Sequence, residues 1–111
     1  MPWLLRDGEV LATLEVASSW RERRRGLLGR PGIEGCLLLD PARSVHTIRM
    51  RFPIDVAFCA RDGQSLTVLA TACMPPWRVG RPRLRARCVL EAEAGAFERW
   101  RLTAGDALEI R

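Results

Sequence analysis

The sequence predicts an α+β fold: a single small domain over residues 1–111, with a curled or barrel-like, mostly antiparallel sheet of about seven short strands and one or two short helices. Three observations lead to this prediction. Short segments whose apolar residues recur at every second position are spread along the chain, and glycine- or proline-containing turns separate them. Helical signals are confined to two short stretches. A chain of 111 residues can bury one core without a disulfide or a metal.

The chain begins with a predicted β-hairpin. Residues 3–6 and 9–16 flank the dipeptide Asp7-Gly8, which is typical of tight hairpin turns. Apolar and polar side chains alternate in the second of these segments, so we expect it to have one buried face. Residues 35–39 follow later as a short, strongly apolar strand.

A helix is expected between these strands. Ser19 and Glu22 form a capping box, in which each side chain satisfies a backbone N–H at the start of a helix. Trp20, Leu27 and Leu28 fall at positions i, i+7 and i+8, which predicts a buried stripe along the helix. Glycine and proline residues just after position 28 are expected to end it.

The central stretch, residues 45–61, organises the rest of the chain. Its even-numbered positions are apolar except for His46, the only histidine, so the period of two predicts an extended chain with His46 on the core face. Pro53 cannot donate a ladder hydrogen bond, and we therefore expect two strand pieces with a kink or a sheet edge there. A turn then leads into a second strand at residues 64–72.

The C-terminal part is expected to contain a long loop, a strand, a short helix and a last strand. These elements fall at residues 74–82, 83–93, 95–100 and 107–110, respectively. In the first of the two strands, arginines alternate with small or apolar residues, which predicts a solvated arginine face. The arginines concerned are Arg83, Arg85 and Arg87.

Several motifs follow one another in a fixed order. They are Trp20-Arg21-Glu22-Arg23, Arg25-Gly26-Leu27-Leu28-Gly29-Arg30, His46-Thr47-x-x-Met50, Pro53-Ile54-Asp55-Val56-x-Phe58, Val89-Leu90-Glu91 with Gly95, and Gly105-Asp106. With these motifs, nearly the whole chain resembles domain-of-unknown-function family 192, a group of small bacterial and archaeal proteins. The central block from His46 to Phe58 is the specific part, and Leu28 stands where the family often has methionine. The resemblance implies a compact α+β fold rich in strands, and it implies no activity.

Charge and composition limit the classes of partner. All 18 basic residues are arginine and the net charge is +5, which permits an acidic partner such as nucleic acid but also simply aids solubility. Glu22, Glu91 and Glu93 are expected to neutralise part of the arginine-rich faces. Because no RNP or KH signature is present, weak and unspecific nucleic-acid binding is an alternative rather than the favoured function. No secretory signal and no membrane span is visible, so we expect a cytoplasmic protein without a membrane partner.

Cysteine and metal chemistry is not expected. Cys36, Cys59, Cys73 and Cys88 form no CxxC pair and lie among apolar or small residues, so we interpret them as reduced core thiols. His46 and Met50 would lie roughly 13 Å apart on a strand and could not bind one ion together. We therefore predict no metal and no cofactor.

His46 and Asp55 are the candidate acid–base pair. An imidazole can transfer protons near neutral pH and a carboxylate can orient it, but the sequence offers no nucleophile for them. A structural role is favoured for both residues. We expect Asp55 to be at least partly buried and to accept hydrogen bonds from backbone N–H groups, from Thr47 or from the chain near His46.

The loop that carries Trp77 and Arg78 is the best recognition candidate, because prolines stiffen it and both residue types are common at binding hot spots. The alternative is that Trp77 folds back as a lid over the sheet.

The leading prediction is a non-catalytic binding or accessory module for a small ligand or a protein partner, present as a monomer or weak dimer; an enzyme using His46 and Asp55 is the alternative. The candidate ligand-binding residues are His46, Thr47, Met50, Asp55, Trp77 and Arg78.

Overall fold

The predicted α+β fold with a barrel-like sheet is confirmed in a computed structural model that describes residues 2–111. Seven strands form a closed barrel in the order β1-β2-β3-β6-β4-β5-β7, and every neighbouring pair is antiparallel except the parallel pair β2–β3. The strands are β1 (Trp3–Arg6), β2 (Glu9–Ala17), β3 (Cys36–Leu39), β4 (Ile54–Asp62), β5 (Ser65–Met74), β6 (Cys88–Glu93) and β7 (Ala107–Ile110), and the helices are α1 (Trp20–Arg25) and α2 (Ala96–Trp100).

The apolar core has two layers. The inner layer receives alternate residues from all seven strands, such as Leu4, Leu38 and Leu90, and therefore fills the barrel. The outer layer lies on the outside of β3, β4 and β6, and it includes Leu37 and Val56. Strand β4 contributes to both layers, which explains why its first six residues are all buried.

The predicted buried stripe on the first helix is wrong. The capping box of Ser19 and Glu22 is present, but α1 ends at Arg25, because Gly26 (φ +47°) leaves the helical conformation. A six-residue helix has no i+7 position, so Leu27 lies in the turn that follows. Leu27 is buried there, whereas Trp20 is 65% exposed and contacts the guanidinium of Arg24.

The expectation that residues 45–52 form a strand with His46 on the core face is also wrong. Apart from an isolated bridge between His46 and Val79, this segment lies outside the sheet, and β4 begins only after Pro53. The backbone N–H of Met50 donates to the carbonyl of Thr47 (3.1 Å), closing a turn. This turn shifts the phase of the apolar pattern, so Thr47 is buried and His46 is exposed.

The arginine-rich segment before β6 is not a strand either. The N–H of Ala86 donates to the carbonyl of Arg83 (3.0 Å), and the chain turns there before β6 starts at Cys88. Leu84 is 81% exposed while Ala86 is fully buried, so the two do not share one apolar face. The period of two that predicted a strand over residues 83–87 therefore reflects a turn.

Candidate functional site

Two long loops pack against each other on the outside of the barrel and form one surface. The first loop, residues 41–53, connects β3 with β4, and the second loop, residues 75–87, connects β5 with β6. Backbone hydrogen bonds join them along their length: Gly80 donates to Val45 (2.8 Å), and Arg83 donates to Arg43 (2.8 Å). We call this two-loop surface the basic face.

Thr47 holds the two loops together. Its side chain is fully buried, and its Oγ1 donates to the carbonyl of Pro75 (2.6 Å) while accepting from the backbone N–H of Arg78 (2.8 Å). Its own backbone accepts from the N–H of Trp77 (2.8 Å) and donates to the carbonyl of Arg78 (2.8 Å). A hydroxyl is needed here, because it must donate and accept at once.

Trp77 is displayed on the outside of the basic face. Its backbone is left-handed (φ +65°), which is strained for a bulky residue, and its side chain is 62% exposed. The alternative in which Trp77 folds back as a lid is therefore wrong. Ile48, which follows Thr47 in the chain, and Val79, two residues after Trp77, are exposed as well, so both loops of the basic face present apolar side chains to solvent.

The basic face carries an excess of positive charge, and Asp40, the acidic residue that precedes the first loop, is paired with Arg61 of β4. The basic face contains eight arginines and no aspartate or glutamate, and none of these arginines forms an ion pair with any residue in 2–111. The expected neutralising glutamates are engaged elsewhere: Glu22 caps α1, Glu91 is buried, and Glu93 pairs with Arg99 (2.6 Å). The arginines are Arg43, Arg49, Arg51, Arg78, Arg81, Arg83, Arg85 and Arg87.

Glu91 is a candidate functional residue that sequence reasoning missed. It lies on the outer side of β6, only 2% exposed, and its Oε1 has no hydrogen-bond partner among the described residues. Burial raises the pKa of this carboxyl to about 7, and Arg30 opposes the shift. The signal in the sequence was a glutamate directly after two consecutive apolar residues, Val89 and Leu90, which predict a strand that is covered on both faces.

The carboxyl of Glu91 faces a cavity of about 70 Å³ between the barrel, the turn after α1 and the first loop. Its walls combine apolar side chains, such as Leu27 and Leu39, with arginines of α1, while Met50 and His46 line it from the first loop. His46 also lines an outer groove of about 360 Å³. The structure thus places His46 beside the entrance to the Glu91 cavity.

Asp55 lies elsewhere and has a different role. Its Oδ2 accepts from the backbone N–H groups of Gly95 and Phe97 (both 3.0 Å), which caps α2 from a neighbouring strand. The expectation that Asp55 is buried and bonded to backbone N–H groups is confirmed. No hydrogen bond joins Asp55 to Thr47 or His46, and His46 lines a different cavity from Asp55.

The cysteines and acidic groups provide no metal or disulfide site within residues 2–111. Cys36, Cys59 and Cys88 are buried thiols, as expected, but Cys73 is exposed, which corrects the prediction of four core thiols. The reason is that β5 keeps its outer face in solvent at this position. Partial burial, followed by contact with Asp55, raises the pKa of the Cys73 thiol.

None of the helices described over residues 2–111 is long and apolar enough to cross a membrane.

Comparison with known proteins places this architecture among uncharacterised relatives. A family model, DUF192 ("Uncharacterized ACR"), matches residues 4–110. A protein from Sinorhizobium meliloti 1021, described as a candidate transcription regulator, has 23% identity and a TM-score of 0.79, covering 97% of this chain and 90% of its own. A protein of unknown function from Novosphingobium aromaticivorans DSM 12444 has 20% identity and a TM-score of 0.74, covering 97% and 82%. None of the curated proteins matches the sequence.

Proposed function

The chain belongs to the DUF192 family, and from that premise we propose that it is a non-catalytic binding module whose basic face holds an acidic segment of a partner protein. The exposed side chain and left-handed backbone of Trp77 support the proposal most strongly. A bulky residue is held in a strained, left-handed conformation by a buried threonine, and its ring is presented to solvent. Strain of about 1–3 kcal/mol at an exposed aromatic residue is typical of a recognition site rather than of a packing solution.

The surroundings of Trp77 fit an acidic partner. Arginine pairs with carboxylates in a bidentate geometry, and tryptophan and arginine are enriched at binding hot spots. The eight unpaired arginines of the basic face raise the local positive potential, which speeds the encounter with a negatively charged chain. Trp77 then supplies an apolar anchor at the centre of this charge.

The apolar part of the face favours a protein over a nucleic acid. Single strands bind on successive aromatic side chains, whereas the exposed large apolar residues of this face are one aromatic, Trp77, and three aliphatic residues. The aliphatic residues are Ile48, Val79 and Leu84. Nucleic acid is the second candidate, supported by the arginine content and by the description of the Sinorhizobium relative as a candidate transcription regulator. In that case we expect weak, unspecific binding of about 10⁻⁴ to 10⁻⁶ M at physiological salt.

The proposal assigns no catalysis to His46 and Asp55. The carboxylate of Asp55 is committed to the N-terminus of α2, and His46 lies at the surface beside a separate cavity. A general acid and base must both reach the same substrate, and these two residues have no shared cavity. His46 and Met50 instead line the cavity that Glu91 also lines.

A fluorescence-anisotropy titration tests the proposal. The probes are a labelled peptide with glutamates around a single leucine, and the same peptide with lysine in place of glutamate. We expect only the acidic peptide to bind, and Trp77→Ala to weaken its affinity by about tenfold or more, since hot-spot residues contribute more than about 1.4 kcal/mol. Trp3→Ala, which removes a tryptophan exposed on β1, is the control and should leave the affinity unchanged.

Three outcomes would contradict the proposal. The acidic peptide and the lysine peptide could bind equally, the Trp77→Ala variant could retain full affinity, or neither peptide could bind. A parallel titration with single- and double-stranded oligonucleotides decides the second candidate. Binding that is tighter than that of the peptide and depends on the base sequence would replace the protein partner with nucleic acid.

A further inference from the structure

We propose that the cavity beneath the end of α1 binds the amine of a small amino-acid-like molecule with Glu91 as counter-ion, while the anionic group of that molecule lies in the outer groove beside Arg43. This site adjoins the partner surface proposed above and shares Arg43 with it. Its cavity uses the inner side of the first loop, whereas the partner surface is centred on the exposed side chain of Trp77.

One carboxyl oxygen of Glu91 is buried without a hydrogen-bond partner among the described residues. A buried polar atom without a partner destabilises a fold by about 1–3 kcal/mol, so native proteins rarely leave one unless it meets a ligand or water. Oε1 of Glu91 is such an atom among the described residues, and Glu91 is one of the residues that line the cavity. A β-carbon built on Gly26 would lie 3.8 Å from Oε1, so the glycine helps to leave room at this point.

The size and lining of the cavity limit the groups that it can hold. An apolar cavity of about 150 Å³ holds benzene, so the 70 Å³ here suits a group of about three or four non-hydrogen atoms. The walls of Leu27, Leu39 and Met50 suit a short methylene chain. The carboxyl of Glu91 at the base suits a hydrogen-bond donor, because an ionised carboxylate is an acceptor only.

Arginine residues line the cavity together with Glu91. They are Arg23, Arg24 and Arg25. The Arg23 guanidinium donates to the carbonyl of Pro41 (2.9 Å), that of Arg24 lies over an indole ring, and the nearby Arg30 is paired with a surface glutamate. Glu91 is the one acidic residue among the described residues that line the cavity, and a charge-assisted hydrogen bond from an ammonium is stronger than one from a neutral donor.

The outer groove adjoins the cavity that Glu91 lines. Five residues line both the inner cavity and this groove, so the two spaces adjoin: Arg23, Arg24, Leu39, Ser44 and His46. Arg43 lies at the outer groove, and within residues 2–111 its only side-chain hydrogen bond runs from Nε to the carbonyl of Ala86 (3.4 Å), which leaves its two terminal nitrogens for an anion. No acidic residue lines the groove. A molecule with an amine at one end and a carboxylate at the other matches this arrangement.

Isothermal titration calorimetry with a chemical panel tests the site. The panel contains straight-chain ω-amino acids of three to six carbons, alkylamines of the same lengths, and the corresponding carboxylic acids. We expect one or more of the amino acids to bind at least about tenfold more tightly than either of its halves. Glu91→Gln, which is isosteric, should weaken amine and amino-acid binding by about tenfold or more, and Glu93→Gln on the same strand is the matched control, because that carboxylate is exposed.

Two further measurements keep the roles apart. Arg43→Gln should weaken the amino acid but leave the alkylamine unchanged. The affinity of the alkylamine for the wild-type protein should rise as the pH increases from 5 to 8, because Glu91 must release its proton, and the rise should be much smaller for Glu91→Gln. The proposal is overturned if no member of the panel binds, if Glu91→Gln leaves amine affinity unchanged, or if amine binding is independent of pH.

Discussion

Thr47 accepts a hydrogen bond from the backbone N–H of Trp77 through its carbonyl (2.8 Å), and through this contact the buried first loop fixes the position of an exposed ring in the second. The two residues are 30 positions apart, so the contact depends on both loops packing against the barrel. It links the most buried polar side chain of the basic face to its most exposed aromatic one.

Replacing Thr47 by valine keeps the shape of the side chain but removes the hydroxyl. The N–H of Arg78 and the carbonyl of Pro75 then lose their partner, and we expect the free energy of unfolding to fall by about 1–3 kcal/mol. Thr47→Ser keeps the hydroxyl and should lose less. Urea denaturation of the two variants measures the difference; a larger loss for Thr47→Ser than for Thr47→Val would show that the methyl group, and not the hydrogen bonds, holds the loops.

Asp55→Ala tests the cap on α2. Without the carboxylate, the N–H groups of Gly95 and Phe97 are left unpaired, and we expect a loss of about 1–3 kcal/mol in the free energy of unfolding. Asp62, at the exposed end of the same strand, is the matched control and should tolerate alanine within about 0.5 kcal/mol. A loss at Asp55 no larger than that at Asp62 would contradict its role as a cap.

Glu91 should make the stability of the protein depend on pH. Its pKa is raised to about 7 in the folded protein and is ordinary in the unfolded chain, so the folded state holds the extra proton and stability falls as the pH rises from about 4.5 through 7. At about 1.4 kcal/mol for each unit of pKa, the fall is roughly 3 kcal/mol. Glu91→Leu removes this titration.

The measurement compares the unfolding free energies of Glu91→Leu and the wild type at pH 5, 6, 7 and 8. The variant should gain stability relative to the wild type as the pH increases, with most of the gain below pH 7. Glu93→Gln, which changes an exposed glutamate on the same strand, should show no such trend. A constant difference for Glu91→Leu across this range would contradict the buried, proton-holding carboxyl.

Thiol reactivity should distinguish one cysteine from the other three. Only Cys73 is exposed, and burial raises the pKa of the Cys36 thiol to about 12, which disfavours its reactive thiolate. In a labelling experiment on the native protein at pH 8, one thiol should react quickly and three more only after denaturation. The Cys73→Ser variant should lack the fast phase; a fast phase that persists would show that another cysteine is accessible.

Local signals in the sequence were sufficient for most of the barrel. Asp7-Gly8 predicted the first hairpin, and the capping box of Ser19 and Glu22 predicted the start of α1, because both depend on residues close together in the chain. The burial of Asp55 was also predictable, since small and apolar residues flank it on β4.

The candidate sites were only partly predictable, because they depend on contacts between distant segments. The alternation of apolar residues placed His46 in the core because it assumed a continuous strand through residues 45–52. The chain instead turns between Thr47 and Met50, where the first loop pairs with the second. The importance of Thr47 comes from its partners in residues 75–78, which no local pattern encodes. The burial of Glu91 requires the turn after α1 to cover β6, a packing relationship that strand alternation leaves open.

Binding of an acidic protein segment around Trp77 is tested directly by titrating a ¹⁵N-labelled sample with the acidic peptide, because the four tryptophan indole N–H groups report from different places in the fold. We expect the indole signal of Trp77 and the backbone signals of residues 41–53 and 75–87 to shift together, while the indole signal of Trp3 on β1 stays in place. Shifts centred on another surface, or none for Trp77 at saturating peptide, would contradict it.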